Sequence, residues 1–229
     1  MKAYDKSKPL YSIHIPKCGG SSFLSVLQQW FGHYLFLHYF NEKMNLMPEN
    51  HRTCLHANSC VHGHFNRSRG FGVESYYPQA EQYITIMRDP FEILVSRYFY
   101  MKKIESKGLL FRDGTKLTIP GDVNEFLENE ITNPNYHPNI LTFLPYGLNA
   151  HNYKEVLNSK FVYIGVSDDL NQSVGILSSK LGKPAVDVPR VNIAERDAVI
   201  DLSLKSKFEQ THSLEYSIYK YVLDNYLIW

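Results

Sequence analysis

Ser12-Ile-His-Ile-Pro-Lys-Cys-Gly-Gly-Ser-Ser-Phe23 reads as a strand that delivers an anion-binding turn to the start of a helix. Tyr11 to Ile15 is a short apolar, β-branched run, and Pro16 stops it. Gly19 and Gly20 permit a tight turn with N–H groups facing inward, and Ser21 or Ser22 is placed to cap a helix carrying Phe23, Val26, Leu27 and Trp30. Unpaired N–H groups and the helix dipole converge at such a terminus and favour negative charge. Lys17 adds a mobile positive charge, and the two serines add hydroxyl donors.

Ile84-Thr-Ile-Met-Arg-Asp-Pro-Phe-Glu-Ile-Leu-Val-Ser-Arg97 repeats the layout with different chemistry. Tyr83 to Met87 predicts a buried strand, Arg88 sits at its C-terminal end, and Asp89-Pro90 is an N-cap followed by the proline favoured at the first helical position. Ser96 lies about two turns beyond Asp89, at roughly 100° per residue, and returns to the face on which that helix begins. Arg88 and Ser96 therefore suit a second phosphate. Two such sites imply a ligand with two separated phosphate groups.

Taken in this order, the two segments resemble the sulfotransferases that use phosphoadenosine phosphosulfate (PAPS). The closer likeness is to carbohydrate O-sulfotransferases of the heparan and uronyl type and their bacterial relatives. The resemblance implies a P-loop-like three-layer α/β/α fold with a mostly parallel central sheet, in a single domain over residues 1–229. It implies that Lys17, Cys18, Gly19, Gly20, Ser21 and Ser22 hold the phosphosulfate end of PAPS, and that Arg88 and Ser96 hold the ribose phosphate. Cys18 stands where threonine is common, which removes one hydroxyl donor.

Val61-His-Gly-His-Phe65 resembles the His-Gly-His segment of the uronyl branch, which gives His64 the role of general base and places His62 beside the acceptor. Phe161-Val-Tyr-Ile-Gly-Val-Ser167 resembles a late strand, and Val188-Pro-Arg-Val-Asn192 a loop that closes over the nucleotide with Arg190 and Asn192. His137-Pro-Asn-Ile-Leu-Thr-Phe-Leu144 departs from the family's Asn-x-Gln-Thr-Arg pattern, and only Asn139 and Thr142 correspond, with Asn139 as the acceptor contact. The implied reaction moves the sulfuryl group from PAPS to an acceptor hydroxyl, with the bisphosphate PAP as the other product. Lys17 stabilises charge on the leaving group, and no metal is required.

Other readings stay open. The acceptor is a glycan on this resemblance, but a tyrosine side chain or small metabolite is an alternative, as is a non-catalytic nucleotide- or glycan-binding module. A Gly-x-x-x-x-Gly-Lys-Ser/Thr loop puts lysine after its second glycine, whereas Lys17 precedes both glycines here, which disfavours a magnesium-dependent kinase or triphosphatase. His51, Cys54, His56, Cys60, His62 and His64 are zinc-type ligands within fourteen residues, though without a Cys-x-x-Cys knuckle. On a strand, His62 and His64 share one face without any metal.

A net charge of +1 and the lack of a long basic run disfavour a nucleic-acid partner. Three cysteines do not make a disulfide framework, and no run of 18 apolar residues is present to span a bilayer. With no apolar leader at the N-terminus, a cytoplasmic location is expected. Oligomeric state is not encoded in any recognisable pattern. Residues 102–120 read as an excursion suited to an acceptor-binding lid, and Asp122 to Asn129 as a short capped helix. Ser167 is expected to cap a helix with Leu170, Val174, Leu177 and Leu181, which Gly182 ends. The tail from Glu195 is expected to be helical through Tyr226, and Tyr98, Phe99 and Tyr100 are assigned to the core.

Overall fold

The computed structural model describes residues 1–108, 118–136, 139–189 and 198–227. In chain order these form β1 (Leu10–Ile13), α1 (Gly20–Phe31), β2 (Leu35–His38), β3 (Cys60–Gly63), α2 (Val73–Tyr76), β4 (Tyr83–Met87), α3 (Pro90–Glu105), α4 (Val123–Thr132), α5 (Asn139–Phe143), α6 (Tyr153–Lys160), β5 (Phe161–Val166), α7 (Leu170–Leu181), α8 (Leu202–Thr211) and α9 (Ser213–Tyr226). The five strands make one sheet in the order β2-β3-β1-β4-β5, and every pairing is parallel.

Every residue of β1, β3, β4 and β5 is buried, whichever way its side chain points. Side chains alternate across a strand, so helices must cover both faces of the sheet. This is the expected α/β architecture. Only the edge strand β2 shows partial burial, with Leu37 exposed. Its four residues follow α1 after a single 3-10 turn, Gly32–Tyr34, too short a run to signal a strand in sequence.

A second apolar cluster lies apart from the sheet. Phe91, Leu94, Val95 and Tyr98 of α3 pack with Phe126 and Leu127 of α4, Leu204 and Phe208 of α8, and Tyr216 of α9. The two layers meet at Asp89. Its carboxylate accepts from the N–H groups of Phe91 (2.9 Å) and Glu92 (3.2 Å), so it caps α3. It also accepts from Tyr216 Oη (3.1 Å) and pairs with Lys205 Nζ (2.8 Å), which ties α8 and α9 to the same junction.

Several local expectations are corrected. Neither serine caps α1: Gly19 is the N-cap at φ 75°, and Ser21 and Ser22 lie inside the first turn. Ser167 does not cap α7, because its N–H extends the β4 ladder to Met87 O (2.8 Å); Asp169 accepts from Gln172 N (3.0 Å) instead, and Gly182 closes the helix in the left-handed region. Tyr100 is not in the core but 50% exposed, whereas Tyr98 is buried. Arg190, Asn192 and residues 109–117 of the expected excursion lie outside the described residues. Among those described, no helix is long and apolar enough to cross a membrane.

Asp89→Ala removes a cap, an ion pair and a buried hydroxyl's acceptor together. We expect it to cost about 2 kcal/mol or more in urea unfolding, with Asp89→Asn recovering much of this because the amide oxygen still caps. Equal midpoints for the wild type and the alanine variant would show that the junction does not hold the layers.

Candidate active site

The connection after β1 runs to β2 on one side of the sheet, and the connection after β4 leads to β5 on the other. In a parallel sheet the crevice at the carboxyl ends of two such strands is the natural ligand site. Five junctions share this end: residues 14–19 after β1, Tyr39 after β2, His64 after β3, Arg88 after β4 and Ser167 after β5. Both sequence segments thus arrive where the topology calls for a ligand.

The loop after β1 owes its shape to two left-handed residues, Lys17 (φ 67°) and Gly19 (φ 75°). For Lys17 this conformation costs about 1 kcal/mol relative to the right-handed region. Gly20 has a different role. A Cβ there would lie 1.7 Å from His14 Nε2, so the missing side chain makes room for the imidazole. The first turn of α1 contains no acidic residue, which leaves the positive end of its dipole unneutralised. Cys18 is buried, its Sγ directed at Pro16 O (3.7 Å), and burial pushes its thiol far above the ordinary range. Its side chain is turned away from the loop mouth, and only its main chain remains available to an anion there.

Lys17 and Arg88 come together. Arg88 Nη1 reaches Lys17 O at 3.4 Å, Nη2 reaches Glu92 Oε2 at 3.3 Å, and the buried Nε has no partner among the described residues. Lys17 Nζ sits 4.2 Å from the centroid of the Tyr100 ring. Burial lowers the Lys17 ammonium from its usual range, and the nearby charges of Arg88 and Lys103 lower it further. Like charges gathered in one crevice are a cost in the free protein that a polyanion would relieve. Ser96 is half-buried on α3, one turn before Tyr100 and on the same face.

The histidines follow from strand register. Ser12 is paired with His62 across β1 and β3, so the residues two further along, His14 and His64, stand side by side on the same face. Ser12 Oγ and His62 Nδ1 are 2.9 Å apart; His62 is 0% exposed and burial pushes it down to about 3. It is walled off from any acceptor, which corrects the expected contact. His62 belongs instead to the polar row beneath α1, against Phe23 and the His14 ring.

His64 is only partly buried, and its Nδ1 lies 2.8 Å from His14 O. A carbonyl only accepts, so Nδ1 carries the proton and Nε2 keeps its lone pair. Burial, chiefly, holds His64 below its ordinary pKa; the bond to His14 O opposes this, and the charge of Arg69 adds to it. His14 stacks on His64 at 4.2 Å and bonds Tyr39 Oη through Nδ1 (2.8 Å), while Tyr39 and Phe143 flank His64 at 5.0 and 5.8 Å. His14 and Tyr39 were not singled out in sequence. The matched spacing Ser12-x-His14 and His62-x-His64 carried the signal for the first; Tyr39, just past an edge strand, had none.

The zinc alternative finds little support in geometry. His51 Nε2 is bonded to Leu37 O, His56 faces Ser59, Cys60 is buried within β3, and Cys54 is exposed; among the described residues no three such groups gather at a metal-binding distance. Asn139 begins α5, but its side chain lies outside the described residues. The start of α5 is held from α9 by Glu215, which is 1% exposed, accepts from Ile140 N (2.6 Å) and is pushed up to about 7 by burial. Phe143 of the same short helix packs on His64.

No protein-family model matches the chain, and no curated protein matches it in sequence. Solved structures do. A sulfotransferase from Alicyclobacillus acidocaldarius aligns with a TM-score of 0.50 and 17% identity over 95% of this chain and 97% of its own. Mouse sulfotransferase SULT7A1, crystallised with PAP, aligns with a TM-score of 0.45 and 15% identity over 95% of this chain and 67% of its own. At such identity the likeness is one of architecture: the chain has the P-loop-like α/β fold of the bacterial sulfotransferase across nearly its whole length.

Proposed function

We propose that this chain is a PAPS-dependent O-sulfotransferase that acts on a glycan hydroxyl. The observation that carries the reading is an imidazole of fixed tautomer, His64, just past the strand next to a loop in which Lys17, Arg88 and the N-terminus of α1 converge. The residues suit the donor. A helix N-terminus with no acidic residue in its first turn, together with Lys17, matches a phosphosulfate, and Arg88, whose Nε has no partner among the described residues, matches the ribose phosphate together with Ser96. Bound there, PAPS would supply an electrophilic sulfuryl group on a good leaving group.

The chain's own residues perform the rest. His64 Nε2 takes the proton of the acceptor hydroxyl as its oxygen attacks sulfur, and His14 O, bonded to Nδ1–H, steadies the imidazolium that forms. Lys17 and the loop N–H groups stabilise the charge that collects on the departing phosphate. Tyr39, half-buried beside His64, offers a ring of the kind on which a sugar face stacks, which favours a glycan over a small charged metabolite. A cytoplasmic setting fits this reading, and PAP is the second product.

Three outcomes test it. Calorimetric titration with PAP without magnesium is expected to give micromolar binding that ATP does not match, with Arg88→Ala weakening it by about 2 kcal/mol and Lys17→Ala also weakening it. Equal affinity for ATP, or indifference to both substitutions, would sink the donor site. His64→Gln is expected to lower turnover about a hundredfold or more while PAP affinity stays within about twofold; normal turnover would remove His64 from the reaction. Because His64 must be neutral to act and burial lowers its pKa, kcat/KM should rise with pH along an acid limb below about 6.5, and be flat at neutral pH. A limb centred above 7 would point to another base.

A further inference from the structure

Tyr100 was assigned to the core by its sequence, yet half of it is exposed, and Lys17 Nζ rests 4.2 Å from its ring centroid. This is well within the range at which an ammonium is attracted to an aromatic face. The contact is placed where the ammonium has every reason to leave. Its backbone is in the left-handed region, its side chain is partly desolvated, and Arg88 and Lys103 repel it. Cys18, the neighbouring titratable group in the loop, is an uncharged buried thiol turned toward Pro16 O. The helix supplies the ring by spacing: Ser96, Tyr100 and Lys103 recur at four and then three residues along α3, so one face offers the expected second-phosphate hydroxyl, an aromatic ring and a cation to the same loop.

We propose that Tyr100 is a positioning residue for Lys17, whose ring holds the ammonium over the mouth of the loop after β1 and keeps it charged for the sulfuryl donor. This rests on the nucleotide reading above. The ring's quadrupole attracts only the protonated form, so it opposes the loss of charge that burial and the two neighbouring cations promote. The attraction comes from the ring face and not from the hydroxyl, so phenylalanine preserves the function and aliphatic or amide side chains do not.

The test follows the Lys17 side chain by NMR in the free protein, its signal assigned with Lys17→Arg, in the wild type, Tyr100→Phe, Tyr100→Leu and Tyr100→Gln, alongside PAP titrations of each. Tyr100→Leu and Tyr100→Gln should lower the Lys17 pKa by about half a unit or more and weaken PAP severalfold, while Tyr100→Phe matches the wild type. Tyr100 is half exposed, so its replacement removes no core packing, and a Lys17 pKa unchanged in both Leu and Gln variants overturns the proposal. A wild type that does not bind PAP, with the Lys17 pKa still falling in those variants, upholds the ring contact and removes the nucleotide reading instead. A Phe variant that behaves like Leu overturns the role of the ring face.

Discussion

The parallel register of β1 between β3 and β4 is the constraint on which the site depends. Leu10 to Ile13 pair with Cys60 to Gly63 on one side, and Tyr11 to Ile13 with Tyr83 to Thr85 on the other. A slip of one residue would turn His14 and His64 to opposite faces and present the β1 loop at the wrong height relative to Arg88. Register is held by burial on both faces, since every residue of the three strands is inside. Thr85 Oγ1 donating to Ile13 O (2.8 Å) and Ser12 Oγ bonding His62 tie the strands laterally as well, which satisfies polar groups buried inside the sheet.

Much of this was legible because the motifs at strand ends are local. Tyr83–Met87 and Phe161–Val166 are apolar runs bounded by polar residues, and the structure has strands with those bounds. Asp89-Pro90 specifies a helix start through one side chain and one fixed φ, and the helix begins there. The errors fell where geometry comes from elsewhere in the chain. A serine after two glycines looks like a cap, but the left-handed Gly19 already turns the chain, so both serines are drawn into the helix. Tyr100 resembled its buried neighbour Tyr98, and only the helical phase relative to a distant lysine shows that it faces the loop. His62 looked available because the sequence cannot show that Phe23 of α1 closes over it.

Charge at this end of the sheet is arranged unevenly. Arg88 is partly compensated by Glu92, while Lys17 has an aromatic ring instead of a carboxylate. A carboxylate at that place would hold the ammonium more strongly but would compete with an incoming anion and repel it. The ring attracts the cation without carrying net charge, so the local field stays positive. The acidic groups that anchor this region are directed elsewhere: Asp89 is consumed by its cap, Tyr216 and Lys205, and Glu215 by the start of α5.

His14 couples the two halves of the site. Its carbonyl fixes the tautomer of His64, its ring stacks on the same imidazole, and its Nε2 occupies the space that a side chain on Gly20 would fill. One residue therefore touches both His64 and the first turn of α1. A methyl group at Gly20 would displace the His14 ring that stacks on His64, so a change confined to the loop after β1 would disturb the imidazole one strand away. Glycine at this position is demanded by the approach of an imidazole and not by backbone conformation, which is why a Gly-Gly turn here carries two separate physical requirements in adjacent residues.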